Sequence, residues 1–169
     1  RILSVSEIAV KHGRKICYAG RSIQNMVQYA KECNMFPDYL LDHIVDMSNA
    51  SRIAREDILY FVTGSQAQPN AMLNRLSAGE NYRGIQIASG DTVILSSRHI
   101  PGNERAIQNM MNRLTKAGAR VLSGHNAFVH VGGHGHKDET KQIYQLLKPQ
   151  YSVPSYGTYT HLKEHQKFV

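Results

Sequence analysis

The chain has 169 residues, 41% of them apolar, with no tryptophan, two cysteines and a formal net charge of +7. That length buries a core without disulfides or a structural metal, and no apolar run is long enough to cross a bilayer, so neither a disulfide-framed miniprotein nor a membrane span is expected. The positive balance favours polyanionic partners, with nucleic acid first and phosphorylated metabolites after it, and the scattered Lys and Arg residues argue against a membrane-surface helix.

In chain order, Ile2, Leu3, Val5, Ile8, Ala9 and Val10 repeat at helical spacing, and Gly13 ends that helix. Lys15 to Ala19 reads as a short strand. Gly20-Arg21-Ser22 turns the chain, with Ser22 in the N-cap role, and Ile23, Met26, Val27 and Ala30 form the inner face of a second helix reaching about Cys33. Pro37-Asp38 opens a short helical piece from Tyr39 to Ile44, and 47–57 is a polar loop with room for one helical turn.

Ile58 to Thr63 is a continuous apolar run of the kind buried in parallel sheets. Gly64-Ser65-Gln66 follows as its terminal loop, and Pro69 suits the first turn of a helix whose core face is Met72, Leu73 and Leu76. Thr92 to Ser96 is the next strand. A long helix follows Ile100-Pro-Gly-Asn-Glu104, with Ile107, Met110, Met111 and Leu114 inside and Gly118 as its stop. Arg120 to Leu122 and Phe128 to Val131 are expected strands, Lys137 to Leu147 a helix, Tyr151 to Pro154 a strand and His161 to Val169 a helix. Strand, turn and helix alternate about five times, which means an α/β domain with a mainly parallel sheet flanked by helices.

Open α/β sheets bind ligands at the carboxyl ends of their strands. Three such ends carry small polar residues before a helix: Gly20-Arg21-Ser22, Gly64-Ser65-Gln66, and Ser96-Ser97 with Pro101-Gly102-Asn103. Glycine admits close approach, and free N–H groups and hydroxyls suit phosphate oxygens. A fourth feature is the run His125 to His136, with His130, Val131, Gly132, Gly133 and His134 at its centre. Its histidines allow two readings, a metal site or an anion-holding turn in which an imidazole also serves as general acid. No carboxylate stands in HxHxD or HExxH register with them. Tyr151, Tyr156 and Tyr159 could stack bases or simply pack. Cys17 and Cys33 lack metal spacing and read as reduced thiols of a cytoplasmic protein. The chain starts at Arg1, not Met, and enters a helical pattern at once, as expected of a piece of a longer protein.

An ordered set of these segments resembles ribonuclease J, the metallo-β-lactamase nuclease family with an inserted β-CASP domain. The set is Lys11-His-Gly-Arg-Lys15, Gly20-Arg21-Ser22, Val62-Thr-Gly-Ser-Gln66, Gly90 to Ser97, Ile100 to Glu104, Val129-His-Val-Gly-Gly-His134 and Leu147-Lys-Pro-Gln-Tyr151. The resemblance implies a β-CASP domain over 1–131 and, over 132–169, the segment that returns to the metallo-β-lactamase domain. It implies an RNA partner, 5′-3′ exo- and endoribonuclease activity in mRNA decay and rRNA maturation, zinc in the family, and association with itself or with a ribonuclease J paralogue.

By the same resemblance, His130, Val131, Gly132, Gly133 and His134 correspond to the family's HVSGH stretch, which holds a substrate phosphate and whose last histidine, here His134, is implicated in catalysis. Arg21, Ser22, Gly64, Ser65 and Gln66 are the further RNA-binding candidates. Gly132 stands where the family has serine. Tyr156 stands where it has a metal-ligating histidine, and Thr158 where it has glutamate. Neutral tyrosine is a poor zinc ligand, and the HxHxDH zinc motif has no counterpart in the chain. The expectation is an RNA-binding portion with weakened or absent metal-dependent cleavage, no zinc held by the fragment itself, or a non-catalytic subunit beside an active paralogue. Outside the family, the open alternative is an α/β domain for a phosphorylated metabolite.

Overall fold

The computed structural model describes residues 1–133 and 135–168. It divides into two compact units, Arg1–His130 and Val131–Val169. In the first, the elements are α1 (Ile2–Lys11), β1 (Lys15–Ala19), α2 (Arg21–Glu32), α3 (Met47–Ala50), β2 (Ile58–Val62), α4 (Met72–Ser77), β3 (Thr92–Leu95), α5 (Glu104–Lys116) and β4 (Arg120–Ser123); the second carries α6 (Lys137–Leu147) and α7 (Tyr159–Phe168). Two 3₁₀ turns, Asp38–His43 and Arg55–Asp57, flank α3.

The strands pair in parallel, as their continuous apolar runs require. β1 lies beside β2, with Lys15 opposite Ile58 and Ala19 opposite Val62. β3 lies beside β4, with Thr92 opposite Arg120 and Leu95 opposite Ser123. The sheet is thus two strand pairs and not one continuous ladder. They are joined through side chains, because Val62 of β2 packs into the cluster of Leu95, Ile107, Met110 and Leu114. One parallel bridge, Ile16 to Ile44, extends the first pair.

Three apolar clusters account for the core. One lies between β1, β2 and α4 (Cys17, Ala19, Ile58, Met72, Leu76, Ile85). A second lies under α1 and α2 (Ala9, Ile16, Tyr18, Val27, Phe36, Leu40). The third backs α5. Tyr18 is stacked on Phe61 at 5.1 Å and shares a buried hydrogen bond with Ser6 at 2.9 Å, so its hydroxyl enters the core with a partner.

Several sequence expectations change. α2 begins at Arg21 with Gly20 as N-cap, so Ser22 lies inside the first turn. Met26 is half-exposed, because the buried stripe of α2 runs through Ile23, Val27 and Ala30 and Met26 falls at its edge. Pro69 precedes α4 in a turn. Phe128 to Val131 forms no strand: Phe128 is 93% exposed, and the Val129 carbonyl accepts from the Ser96 hydroxyl at 2.6 Å, not from a neighbouring strand. Tyr151 to Pro154 likewise has no ladder, and Val153 is exposed. An apolar run becomes a strand only when a partner edge takes up its N–H and C=O groups.

In the second unit no described residue is buried. α6 is capped by Glu139, whose carboxylate accepts the His136 backbone N–H at 2.6 Å, and it ends at Lys148 with φ +43. Tyr144 of α6 hydrogen-bonds Ser152 and, at 2.8 Å, His165 of α7.

Cys17 is fully buried on β1 and Cys33 is exposed after α2; both are free thiols. Burial, assisted by the Asp46 charge, pushes the Cys17 thiol from 9.0 up to about 11. Burial also raises the Tyr18 and Tyr60 hydroxyls. Because the Cys17 thiol resists ionising in the folded state, its contribution to stability is full below pH 9 and is lost as pH rises through about 11. Iodoacetamide at pH 8 should therefore alkylate Cys33 and leave Cys17 intact; equal labelling of the two in the folded chain would contradict this.

Candidate functional site

The parallel pairing of β1 with β2 brings the chain segments after Ala19 and Val62 to one edge. Gly20, at φ +146, sits so close to Thr63 that a Cβ would lie 3.1 Å from its Cγ2, which is why the crossing tolerates glycine there. Around this edge opens a cleft of about 560 Å³, lined among others by Gly20, Arg21, Asp46, Thr63, Arg75, Tyr82 and Arg83. Three arginines thus line one cleft, and Asp46 is the acidic residue of that lining.

The cations differ in their local partners. Arg75 gives its Nε to Glu80 at 2.7 Å and lies over the Tyr82 ring at 4.9 Å. Arg83 lies over the same ring at 5.8 Å. Among the described residues, neither Arg21 nor Arg83 is in an ion pair. The Arg75–Glu80 pair is about half exposed, and such pairs contribute little and are screened by salt. Arg21 and Arg83 are exposed at the cleft, and guanidiniums without a carboxylate partner are suited to oxyanions, phosphate above all, through their fork of donors.

The loop after β2 has a different task. A Cβ on Gly64 (φ +111) would stand 2.7 Å from the Ala71 Cβ, so this glycine permits the loop to fold onto the start of α4. Gln66 donates to the Arg98 carbonyl at 2.8 Å and accepts from the Ile100 N–H at 3.0 Å. Its amide ties the loops after β2 and β3 together. Gly64, Ser65 and Gln66 do not line the cleft, and neither does the exposed Ser22; of the sequence-predicted residues, Arg21 does.

A second polar group lies at the carboxyl ends of β3 and β4. Arg1 donates to the Ser96 carbonyl at 2.5 Å and meets His130 Nδ1 at 2.8 Å. His99 and His125 are paired, with Nδ1 and Nε2 3.3 Å apart. Val131, Gly132 and Gly133 are exposed and irregular, and His134 lies outside the described residues. Tyr156 is 96% exposed. Among the described residues no three of His, Cys, Asp and Glu stand close enough together to hold a metal ion.

Sequence reading missed Asp46, Arg75, Tyr82 and Arg83. The available signal was Arg83-Gly84 between Tyr82 and Ile85, a two-residue hairpin connection with glycine at its second position.

Comparison with known proteins bears on what this cleft serves. The family model described as "Ribonuclease J, beta-CASP domain" matches residues 1–114. The chain is 35% identical over 165 residues to ribonuclease J of Sinorhizobium meliloti, covering 98% of this chain and 29% of that protein. It is 36% identical over 163 residues to ribonuclease J of Mycolicibacterium smegmatis, covering 96% and 29%. It is 34% identical over 171 residues to ribonuclease J2 of Bacillus subtilis, covering 100% and 30%. The chain spans less than a third of the length of these relatives.

Proposed function

The chain belongs to the ribonuclease J family, through its β-CASP domain, and from that premise we propose that it is the RNA-binding portion of a ribonuclease acting in mRNA decay and rRNA maturation. The observation that carries this reading is the cleft that gathers Arg21, Arg75 and Arg83 at the carboxyl edge of β1 and β2. A phosphodiester is the anion that a guanidinium cleft in a chain of net charge +7 is suited to take. Residues 132–169 are read as the segment returning to the metallo-β-lactamase domain, with His130 to His134 as the phosphate-holding turn and His134 as the catalytic candidate. Two free thiols agree with a cytoplasmic setting.

Within this reading the parent protein cleaves RNA weakly or not at all and works beside an active paralogue, or with copies of itself. Tyr156 at the family's metal-ligand position supports that reading. The sequence identities to ribonuclease J and ribonuclease J2 are similar, at 35% and 34%. Zinc, where the family uses it, would be bound by residues outside those described here, and no step of cleavage is assigned to this chain's own groups.

Two measurements test the proposal together. The chain should bind single-stranded RNA with a log–log salt slope near −2 for three phosphate contacts, an affinity loss of about 20-fold between 50 and 200 mM salt. The full-length parent should degrade 5′-monophosphorylated RNA slowly alone and differently when mixed with an active paralogue. Salt-insensitive binding would favour a small phosphorylated metabolite, and ordinary turnover with two zinc ions per chain would refute the weakened-nuclease reading.

A further inference from the structure

Residues 82–85 form a tight hairpin: the Tyr82 N–H donates to the Ile85 carbonyl at 2.9 Å, and the Ile85 N–H to the Tyr82 carbonyl at 3.0 Å. Its two central residues, Arg83 at φ +52 and Gly84 at φ +83, are both left-handed, as a type I′ turn demands. Asparagine or glycine occupies the first of these positions at least cost; arginine there is strained. Asn81 accepts the Gly84 N–H at 2.8 Å, and buried Ile85 anchors the turn in the core. The turn is therefore firmly held while its tip carries a cation in an unfavourable backbone region. Strain of this kind, retained at a cleft, points to a task for the side chain.

We propose that Arg75, Tyr82 and Arg83 form a two-arginine clamp for one phosphodiester of an RNA strand, with Tyr82 as the positioning residue; this rests on the RNA-binding reading above. The Tyr82 ring packs against the first core cluster and brings both guanidiniums near it, at 4.9 and 5.8 Å. Cation–ring attraction holds each planar group in place without consuming its N–H donors. Arg75 is further oriented through Nε by Glu80, which leaves its two Nη groups for the ligand. Arg83 has no acidic partner among the described residues. Both line the same cleft.

The test is fluorescence anisotropy of a labelled single-stranded RNA decamer with the 169-residue chain across a salt series. Arg83→Asn suits the turn, so its thermal midpoint should equal or exceed that of the parent chain. Its affinity should fall about 5- to 10-fold at low salt, and its slope should shrink by about 0.7, one phosphate contact. Tyr82→Phe should bind as the parent does, and Tyr82→Leu should lose as much as Arg83→Asn. Arg105→Gln on the exposed face of α5 removes the same charge elsewhere and should leave the affinity within about 2-fold, as expected when only long-range charge changes. Equal effects of Arg83→Asn and Arg105→Gln would overturn the clamp while leaving RNA binding in place, and equal behaviour of Tyr82→Phe and Tyr82→Leu would overturn the positioning role. A parent chain that binds no RNA would overturn both the clamp and the functional reading.

Discussion

Gly84→Ala is expected to destabilise the chain by about 2–3 kcal/mol. Two costs coincide at this position. The backbone lies at φ +83, where an L side chain is strained by about 1 kcal/mol. The new Cβ would also stand 2.5 Å from the Cβ of Ser51, which caps α3, a distance that non-bonded carbons do not share. Gly79→Ala separates the two terms, because Gly79 has φ +88 and open space around it, so it carries strain without collision. Urea titration should show Gly84→Ala losing more than Gly79→Ala, and Ser51→Gly should recover the difference in the double variant. If Gly84→Ala and Gly79→Ala lost the same amount, the hairpin would not be pressed against α3, and the cleft wall it forms would be misplaced.

Leu114→Ala is expected to cost about 2–5 kcal/mol, a large part of the 5–15 kcal/mol that holds a domain of this size. Leu114 is fully buried on α5 against Leu95, Ile107 and Met110, in the cluster that joins the second strand pair to β2 through Val62. α5 is also fastened to α4 by Arg113, which donates to Ser77 Oγ at 3.1 Å and Asn74 Oδ1 at 2.6 Å. These bonds are too local to replace the lost apolar contact. A urea midpoint that falls with an unchanged m-value would match this expectation. A loss below about 1 kcal/mol would mean that the site collapses around the smaller side chain.

Much of the fold was legible because its signals are local. β1, β2 and β3 are short runs of apolar residues, and α1, α5 and α6 carry a helical stripe or clear boundaries. Gly13 and Gly118 mark turns with φ +71 and +86, and Gly118 also meets Ser89 so closely that a Cβ would lie 2.8 Å away. The failures share one cause. Phe128 to Val131 and Tyr151 to Pro154 have strand-like composition, but a strand is a relation between two segments, and neither finds a partner edge. Ser22 resembled an N-cap because serine often is one, yet Gly20 holds that position, close to Thr63 in the segment that follows β2.

The candidate site divides in the same way. The motifs that link the chain to ribonuclease J lie in linear order, so the sequence alone established the family, the α/β class and Arg21 as a residue at a strand's carboxyl end. Only the tertiary structure decided that Arg75 and Arg83 share a cleft with Arg21, that Gln66 uses its amide to join two loops, and that two guanidiniums lie over the Tyr82 ring. Periodicity and capping depend on neighbours a few residues away, whereas a binding cleft depends on side chains that converge through the parallel pairing of β1 with β2 and the docking of a hairpin against α3.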